Sequence, residues 1–510
     1  MAITPQALYA AKALLAAAGL LVLWRLHRAW GTARQRRWDR SLGALAVLSF
    51  LSWFNFGLFH LPHFAHLWDV YHYYFGAKYA PELGYTRLYE CTAVADVLLG
   101  YRPDVEGRPM RDLASNELGT SAAILADPSR CTRHFTRQRW GDFVKDVRFF
   151  RGLTTRERWN ASQQDHGFNP TPAWVLLARP FTAAAPASLA QLRILLALDP
   201  LWIALLWGAA AWGFGWRGAA AALLFWGNNV PADFGWLGGA LLRYDWIGWA
   251  VLGVAFLKKG KPALAGVTLT LATSLRIFPG LLVLGVVLKA LGSMVQERRL
   301  WLAPEHRRFA AGCLATLALV VPLSSLNGGL VRWTEFARNS RKHLGTPSYN
   351  NMGLATLLSY VPEPVEMAVR SGEDAGDVWW RPHAEVQRQR APLRAAMVLG
   401  MLALTALACA GAEDWVAAIL GMALIPFLTT LSCYYYVCFL MLGFLFAADR
   451  RLALLAPAAA LGTCLAAFAG RWGYEVYVLG SAVAVLTALA VPVLLRTWGV
   501  RVKASDLPAS

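Results

Sequence analysis

Charged residues are scarce in this chain, and acidic residues are the scarcest of them. Only 16% of the 510 residues are charged, with 31 Asp and Glu against 49 Lys and Arg, whereas 57% are hydrophobic. A soluble enzyme of this length has short apolar segments. Here apolar runs of about 17 to 25 residues recur, and such runs are long enough to cross the hydrocarbon core of a bilayer. The composition therefore excludes an ordinary soluble protein and predicts an all-α polytopic membrane protein.

Signatures of other protein classes are also missing. The first apolar run has no basic stretch before it and no small-residue cleavage site after it, which predicts an uncleaved helix rather than a signal peptide. The sequence contains no repeat of fixed period and no low-complexity linker. The net charge of +18 would suit nucleic acid, but no basic run interleaved with aromatic residues lies on a soluble domain. We expect no nucleic-acid partner and assign the excess Arg and Lys to short cytoplasmic loops.

The apolar runs predict about 11 to 13 transmembrane helices, because several runs are short or contain Gly and Pro. The candidate spans are Leu8–Trp24, Ser41–Phe59, Leu189–Phe214, Ala219–Val230, Ile247–Leu257, Ala263–Leu275, Gly280–Val295, Phe309–Leu326, Leu393–Ala410, Trp415–Ser432, Tyr434–Ala447, Leu452–Phe468 and Val476–Leu495. The segment "NPTPAWVLLARPFTAAAP", which begins at Asn169, is too short and too rich in proline to be a span. We expect it to be re-entrant or interfacial, or else a neighbouring run to be split.

Basic loops set the orientation of the chain in the membrane. The segment "RLHRAWGTARQRRWDR" lies between the first two spans and is expected to be cytoplasmic. The two long polar regions, 61–168 and 328–392, then become extracytoplasmic loops that carry short amphipathic helices. We divide the chain into an extra N-terminal helix with its basic loop (1–40), a transmembrane core that includes the first outer loop (41–360), and the C-terminal helices (361–510).

Cysteines are few and show no CxxC spacing. Five of the seven lie in apolar spans, where a thiol packs as a small apolar group. Cys91 and Cys131 share the first outer loop, and spacing leaves open whether they form a disulfide.

Asp69 is an acid at the predicted lipid boundary, within "HFAHLWDVYHYYFGAKY". A carboxylate there could act as a general base that faces a cavity at lipid level, or it could be a helix N-cap or a surface acid. Four histidines lie nearby, at positions 60, 63, 66 and 72, and imidazole is a common zinc ligand. Because a proline interrupts them and no HExxH motif accompanies them, we expect interfacial histidines and no metal.

Two arginines interrupt apolar segments. Arg276, in "LATSLRIFPGLL", has no acid nearby in the sequence, whereas Arg243 lies beside Asp245 and could form a local ion pair with it. An arginine within a membrane segment needs a partner or an anion, and a guanidinium binds phosphate through two hydrogen bonds.

The second outer loop adds further basic and amide groups in "RNSRKHLGTPSYNNMGLATLLSY". Arg341, Lys342 and His343 would suit a phosphate, and Asn350 and Asn351 would suit sugar hydroxyls. The alternative is a solvated interfacial helix that binds lipid headgroups.

These segments, in this order, resemble the membrane-embedded C-class glycosyltransferases, nearest the polyprenyl-phosphate-mannose-dependent mannosyltransferases. The resemblance rests on "DVYHYYFGAKYAPELGYTRLY", "NPTPAWVLLARPF", "KKGKPALAGVTLTLATSLRIFPGLLVL" and "SYNNMGLATLL", and it covers residues 41–360. It implies transfer of a sugar from a polyprenyl-phosphate donor to an acceptor hydroxyl on a glycan or glycolipid. The expected site faces the periplasm from a bacterial inner (plasma) membrane, in contact with membrane lipid and with no cofactor.

The resemblance and the residue chemistry together assign the candidate site. Asp69 matches the family's catalytic base, and a direct displacement with one base inverts the anomeric centre. The predicted donor-phosphate ligands are Arg276, Arg243, Arg341, Lys342 and His343. The predicted sugar contacts are Tyr71, His72, Tyr244, Asn350 and Asn351. Arg276 stands where relatives usually carry lysine.

Two other functions fit parts of the same pattern. A transporter or flippase for a lipid-linked or anionic substrate would share the broken helices and the buried arginines. A structural or assembly protein would explain the long outer loops but not the placement of Asp69 and Arg276. The absence of related halves and the long outer loops favour transfer over transport.

Overall fold

The chain is described here by a computed structural model that covers residues 4–28, 32–57, 64–298, 300–326, 328–362, 383–470 and 474–498. Within these residues the prediction of an all-α polytopic membrane protein is confirmed, because the regular structure is helical apart from two short strand pairs. These are antiparallel: β1 (Pro109–Arg111) with β2 (Leu118–Thr120), and β3 (Asn351–Met352) with β4 (Leu431–Ser432). Of the histidines considered as zinc ligands, His60 and His63 lie outside the described residues.

The described residues contain α-helices from Pro5 to Thr497. In chain order they are α1 (Pro5–Arg28), α2 (Thr32–Trp53), α3 (Leu67–Lys78), α4 (Ala80–Leu83), α5 (Leu88–Leu98), α6 (Arg102–Val105), α7 (Ala122–Ala126), α8 (Ser129–Thr132), α9 (Arg137–Gly152), α10 (Arg156–Ser162), α11 (Pro172–Thr182), α12 (Leu189–Leu196), α13 (Leu198–Trp226), α14 (Phe234–Leu237), α15 (Asp245–Lys258), α16 (Pro262–Leu275), α17 (Gly280–Gln296), α18 (Pro304–Ser325), α19 (Val331–Gly345), α20 (Leu354–Ser359), α21 (Ala391–Ala410), α22 (Asp414–Met422), α23 (Ile425–Leu428), α24 (Leu455–Ala469) and α25 (Glu475–Thr497). Among the described residues, 3-10 helices occupy Asn55–Gly57, Cys433–Ala447 and Leu452–Leu454.

Six helical segments of the described chain are long and apolar enough to cross a bilayer. They are α1, α12 with α13, α18, α21, Leu452–Ala469 and α25. Shorter apolar helices, among them α16, α17 and Cys433–Ala447, pack between these. The predicted spans Leu189–Phe214 and Ala219–Val230 are joined by the continuous helix α13. It bends between them at Gly215, whose φ of 71° is a conformation that glycine adopts without steric cost. The exact number of spans stays a prediction.

The proline-rich segment after Asn169 forms α11, which is too short to cross the bilayer. The hydroxyl of Thr171 caps it by accepting a hydrogen bond from the N–H of Trp174 at 3.1 Å. The same hydroxyl donates to the carbonyl of Ser274 at 2.6 Å, at the end of α16. The segment is therefore a short helix fixed beside Ser274, two residues before Arg276.

The first outer loop, as far as it is described, is a folded helical unit rather than an open loop. Helices α3 to α10 enclose a core in which Phe75, Phe143 and Phe150 are buried. A disulfide between Cys91 and Cys131 joins α5 to α8, which resolves the pairing that the sequence left open. The second outer segment packs on this unit, since the Asn116 amide donates to the Thr346 hydroxyl at 2.8 Å.

The N-terminal helix is tied into the bundle by Lys12, whose side chain is fully buried. Its ammonium donates to the carbonyls of Ser52 at 3.2 Å and Gly227 at 3.0 Å, at the ends of α2 and α13. These carbonyls lack helical partners, so one lysine satisfies both helix ends.

Candidate functional site

Asp69 lies in the first turn of α3, where a carboxylate also interacts favourably with the helix dipole. The cap of this helix is His66, whose Nδ1 accepts a hydrogen bond from the N–H of Asp69 at 3.1 Å. The N–H of His66 in turn donates to the carbonyl of Gly239 at 2.8 Å. Gly239 has a φ of +70°, and a Cβ there would lie 2.5 Å from the carbonyl oxygen of Phe64. Asp69 is therefore not the N-cap, and a close backbone contact fixes the start of its helix.

Arg243 is the ion-pair partner of Asp69. Its Nε lies 3.7 Å from the Asp69 Oδ2, a distance that makes an ion pair but not a hydrogen bond. The Arg243 side chain is 3% exposed and the Asp69 side chain 14% exposed. The local ion pair with Asp245 that the sequence suggested is not formed in the described chain. Instead, the Asp245 carboxylate accepts the N–H of Trp246 at 2.7 Å.

Arg276 and Arg243 both lie near the aromatic ring of Tyr73. Their guanidinium carbons are 5.9 Å and 4.5 Å from the centre of the Tyr73 ring. Arg276 is buried and donates through Nη1 to the Leu275 carbonyl at 2.8 Å. We call Asp69, Arg243, Arg276 and Tyr73 the Asp69 cluster. It joins α3, the start of α15 and the break between α16 and α17.

The Asp69 cluster contains buried polar atoms that have no hydrogen-bond partner among the described residues. They are the Oδ2 of Asp69, Nη1 of Arg243, and Nε and Nη2 of Arg276. Most buried polar atoms in proteins do have a partner, because an unpaired one costs about 1–3 kcal/mol. Several guanidinium N–H groups in one place can therefore receive an anion.

Asp199 is a site residue that the sequence did not reveal. Its carboxylate accepts the N–H of Arg243 at 2.8 Å and that of Tyr244 at 3.2 Å, and its side chain is buried. The residue before Arg243, Leu242, has a φ of 51°, which is unfavourable for a branched side chain. Asp199 thus holds a strained turn that presents Arg243 to Asp69. Its only signal in the sequence was an acid within an apolar run.

Tyr434 is a second residue that the sequence did not reveal. The guanidinium carbon of Arg243 lies 4.7 Å from the centre of the Tyr434 ring, close to its distance of 4.5 Å from the Tyr73 ring. Its signal was the run "CYYY" at the start of an apolar segment. Two tyrosine rings therefore contact the guanidinium group that pairs with Asp69.

A cavity of about 410 Å³ opens beside Asp69, between the two outer segments. Asp69 itself does not line it, but its neighbours His66 and Trp68 do. The lining residues are His66, Trp68, Arg111, Asn116, Arg158, Ala161, Gln164, Asp165, His166, Trp236, Thr346, Pro347, Ser348, Tyr349 and Asn350. Aromatic faces and amide groups of this kind suit a ligand rich in hydroxyl groups.

Among the predicted sugar contacts, Asn350 lines this cavity and the others pack elsewhere. The Tyr71 hydroxyl is hydrogen-bonded to Thr92 at 2.8 Å. The His72 ring lies between the Trp68 carbonyl and the Tyr89 hydroxyl, each at 2.7 Å. Tyr244 is buried in the core. Asn351 belongs to β3. Tyr71, His72 and Tyr244 are therefore packed inside the protein and do not line the cavity.

The predicted phosphate ligands of α19 are not brought together with the Asp69 cluster in the described structure. Arg341 is exposed, and the Lys342 ammonium donates to the carbonyl of Leu113. His343 contacts Asn116, with 3.1 Å between its Nδ1 and the amide nitrogen. Burial, and then the neighbouring Lys342, lower the pKa of His343 to about 3, so its imidazole is neutral near pH 7.

No group of three or more His, Cys, Asp or Glu side chains is placed to hold a metal ion in the part of the chain that the structure describes. No family model matches the sequence, and no curated protein and no solved structure is detectably similar to it. The glycosyltransferase resemblance therefore stays a prediction, and the geometry of the Asp69 cluster is the main indication of function.

Proposed function

We propose that this protein is a membrane glycosyltransferase that moves a sugar from a polyprenyl-phosphate donor to an acceptor hydroxyl. The observation that carries the proposal is the Asp69 cluster, in which a carboxylate and two buried arginines meet beside a polar cavity. A lipid-linked sugar presents a phosphate, a reacting carbon and a chain in lipid. An enzyme that acts on such a molecule needs cations for the phosphate, a base for the acceptor hydroxyl and an apolar surface for the lipid chain. Candidates for all three occur in this protein.

The two arginines are assigned to the donor phosphate. Arg276 and Arg243 together offer three N–H-bearing nitrogens that have no hydrogen-bond partner among the described residues. A guanidinium group presents its donors in a planar fork that matches phosphate oxygens. Because both side chains are buried, their interaction with an anion is screened less than it would be at an exposed surface.

Asp69 is assigned as the general base. Its carboxylate accepts the proton of the acceptor hydroxyl as that oxygen bonds to the anomeric carbon. The bond from the anomeric carbon to the phosphate oxygen breaks in the same step, and the electron pair leaves with the phosphate. Arg243 and Arg276 stabilise this growing negative charge. One displacement inverts the configuration of the anomeric carbon.

The proposed site faces the periplasm of a bacterial inner membrane. The basic segment from Arg25 to Arg40 favours a cytoplasmic position for the loop between the first two helices. The disulfide between Cys91 and Cys131 favours an oxidising compartment for the first outer unit. Both observations support the outward orientation of Asp69.

Glycosyl transfer by purified protein in lipid tests the proposal. The wild type would be given a panel of polyprenyl-phosphate sugars with glycan and glycolipid acceptors, beside Asp69→Asn. We expect product of inverted anomeric configuration from the wild type, and a rate at least about a hundredfold lower from Asp69→Asn, as for the loss of a general base.

The matched control is Asp142→Asn, the same substitution at an exposed acid of the first outer unit. The Asp142 side chain is 42% exposed and interacts with Lys145. We expect its transfer rate to equal that of the wild type. Equal turnover by Asp69→Asn and the wild type would contradict the role of Asp69. Movement of the lipid-linked substrate across vesicles without any transfer would favour the transporter instead.

A further inference from the structure

Helix α19 lies at the end of a membrane span. The span α18 ends at Ser325 and α19 begins at Val331. Around this junction, Leu326 is 77% exposed and Leu330 64% exposed, and Leu344 near the end of α19 is 68% exposed. Helix α19 also carries the exposed cations Arg338 and Arg341. Exposed leucines beside arginines are typical of a helix that lies in the membrane interface.

A second cavity, of about 320 Å³, lies between α19 and the first outer unit. It is separate from the cavity beside Asp69, and the two share no lining residue. The lining residues are Gly84, Tyr85, Thr86, Arg87, Leu113, Ala114, Glu335, Arg338, Asn339 and Lys342.

Cations exceed acids in this second cavity. Arg87, Arg338 and Lys342 line it together with a single acid, Glu335, whose carboxylate is already paired with Arg332 at 2.7 Å. Burial, and then the neighbouring Arg332, lower the pKa of Arg87. A bound anion would supply the negative charge that this cavity has in deficit.

We propose that the second cavity binds the phosphate of an anionic phospholipid of the outer leaflet, with Arg338, Lys342 and Arg87 as its ligands. The lipid's acyl chains would lie against the exposed leucines at the junction of α18 and α19. The inference is independent of the proposed transferase function, since none of these residues belongs to the Asp69 cluster. Its consequence is that an anionic lipid fixes α19 on the first outer unit.

Native mass spectrometry of the full-length, delipidated protein tests this site. The probes are phosphatidylglycerol, phosphatidylcholine with the same acyl chains, and glycerol 3-phosphate as a source of phosphate without a membrane anchor. We expect the wild type to prefer phosphatidylglycerol, and Arg338→Gln to bind it about tenfold more weakly, as for one lost charge-assisted hydrogen bond. Asp69→Asn should bind the lipid as the wild type does.

Arg341→Gln is the matched control, because Arg341 is an exposed cation of the same helix that does not line the cavity. Equal weakening by Arg341→Gln and Arg338→Gln would overturn the site and leave only general attraction to the basic helix. Glycerol 3-phosphate binding as tightly as phosphatidylglycerol would overturn the lipid assignment. Unchanged phosphatidylglycerol binding in a folded Arg338→Gln, checked by its unfolding temperature, would also overturn it.

Discussion

Asp146, in the first outer unit, and Asp69, in the Asp69 cluster, are two largely buried carboxylates that each lie near a cation. The Oδ2 of Asp146 accepts hydrogen bonds from Tyr79 at 2.7 Å and Tyr74 at 3.3 Å, and lies 2.8 Å from the Lys78 ammonium. Its Oδ1 accepts the N–H of Ala187 at 2.9 Å. Asp69, by contrast, has its cation at 3.7 Å, and its Oδ2 has no hydrogen bond within the described structure.

Hydrogen-bonding capacity distinguishes a structural ion pair from a functional one. A buried pair whose oxygens are fully hydrogen-bonded has no bonding capacity left for a ligand, and its removal affects mainly folding. A pair that is loosely held, beside a cavity and near a second cation, keeps capacity for a reacting group. We therefore expect substitutions at Asp146 to change stability, and substitutions in the Asp69 cluster to change activity.

The largest effect is expected from Asp146→Ala. Loss of the carboxylate leaves the buried Lys78 ammonium without its counter-ion, and breaking a buried pair costs about 3–5 kcal/mol. Denaturant unfolding in detergent, followed by tryptophan fluorescence, measures the loss. Asp142→Ala, at an exposed acid, should change the free energy of unfolding by less than about 0.5 kcal/mol. An Asp146→Ala protein as stable as the wild type would contradict a structural role for the pair of Asp146 and Lys78.

A smaller effect, on activity alone, is expected from Arg276→Lys. Lysine keeps the positive charge but loses the planar fork, so kcat/KM should fall about tenfold, the equivalent of one charge-assisted hydrogen bond. Transfer kinetics measure the fall. Arg308→Lys, an exposed residue at the other end of the α18 span, provides the control. Unchanged kinetics in Arg276→Lys would exclude bidentate contact with the donor phosphate.

The smallest effects concern Asp199, which acts through Arg243 and is a positioning residue. Asp199→Asn keeps an oxygen that accepts the N–H of Arg243, so we expect kcat to fall only about threefold with KM unchanged, within the range of a neutral hydrogen bond. Asp199→Ala should lower kcat further. Kinetics of both variants, with unfolding measured in parallel, distinguish positioning from a purely structural role. If the rate followed stability alone, Asp199 would have no effect on the site.

Much of the membrane fold was predictable because it depends on local composition. Apolar runs placed α16, α17 and α25 close to their observed bounds, and the gap between two predicted spans coincides with the bend of α13 at Gly215. The folded nature of the first outer unit was not predictable, since its core joins aromatic residues from helices far apart in the chain. Apolar length is a local property, whereas that packing is not.

The candidate site was predictable in part. Asp69, Arg243 and Arg276 stood out because charge is costly near lipid. Their meeting on Tyr73 was not predictable, because it depends on the turn before Arg243 that Asp199 holds. Tyr71 and His72 suggested sugar contacts by their proximity to Asp69 in sequence, but α3 turns their side chains into the first outer unit.

The role of Asp69 as the general base is tested by the transfer rate of Asp69→Asn per folded molecule, with the unfolding midpoint measured on the same sample. We expect a rate at least about a hundredfold below wild type and an unfolding midpoint close to that of the wild type. A wild-type rate would contradict the assignment of Asp69 as the base. A rate that falls only in proportion to lost folded protein would make Asp69 structural, like Asp146.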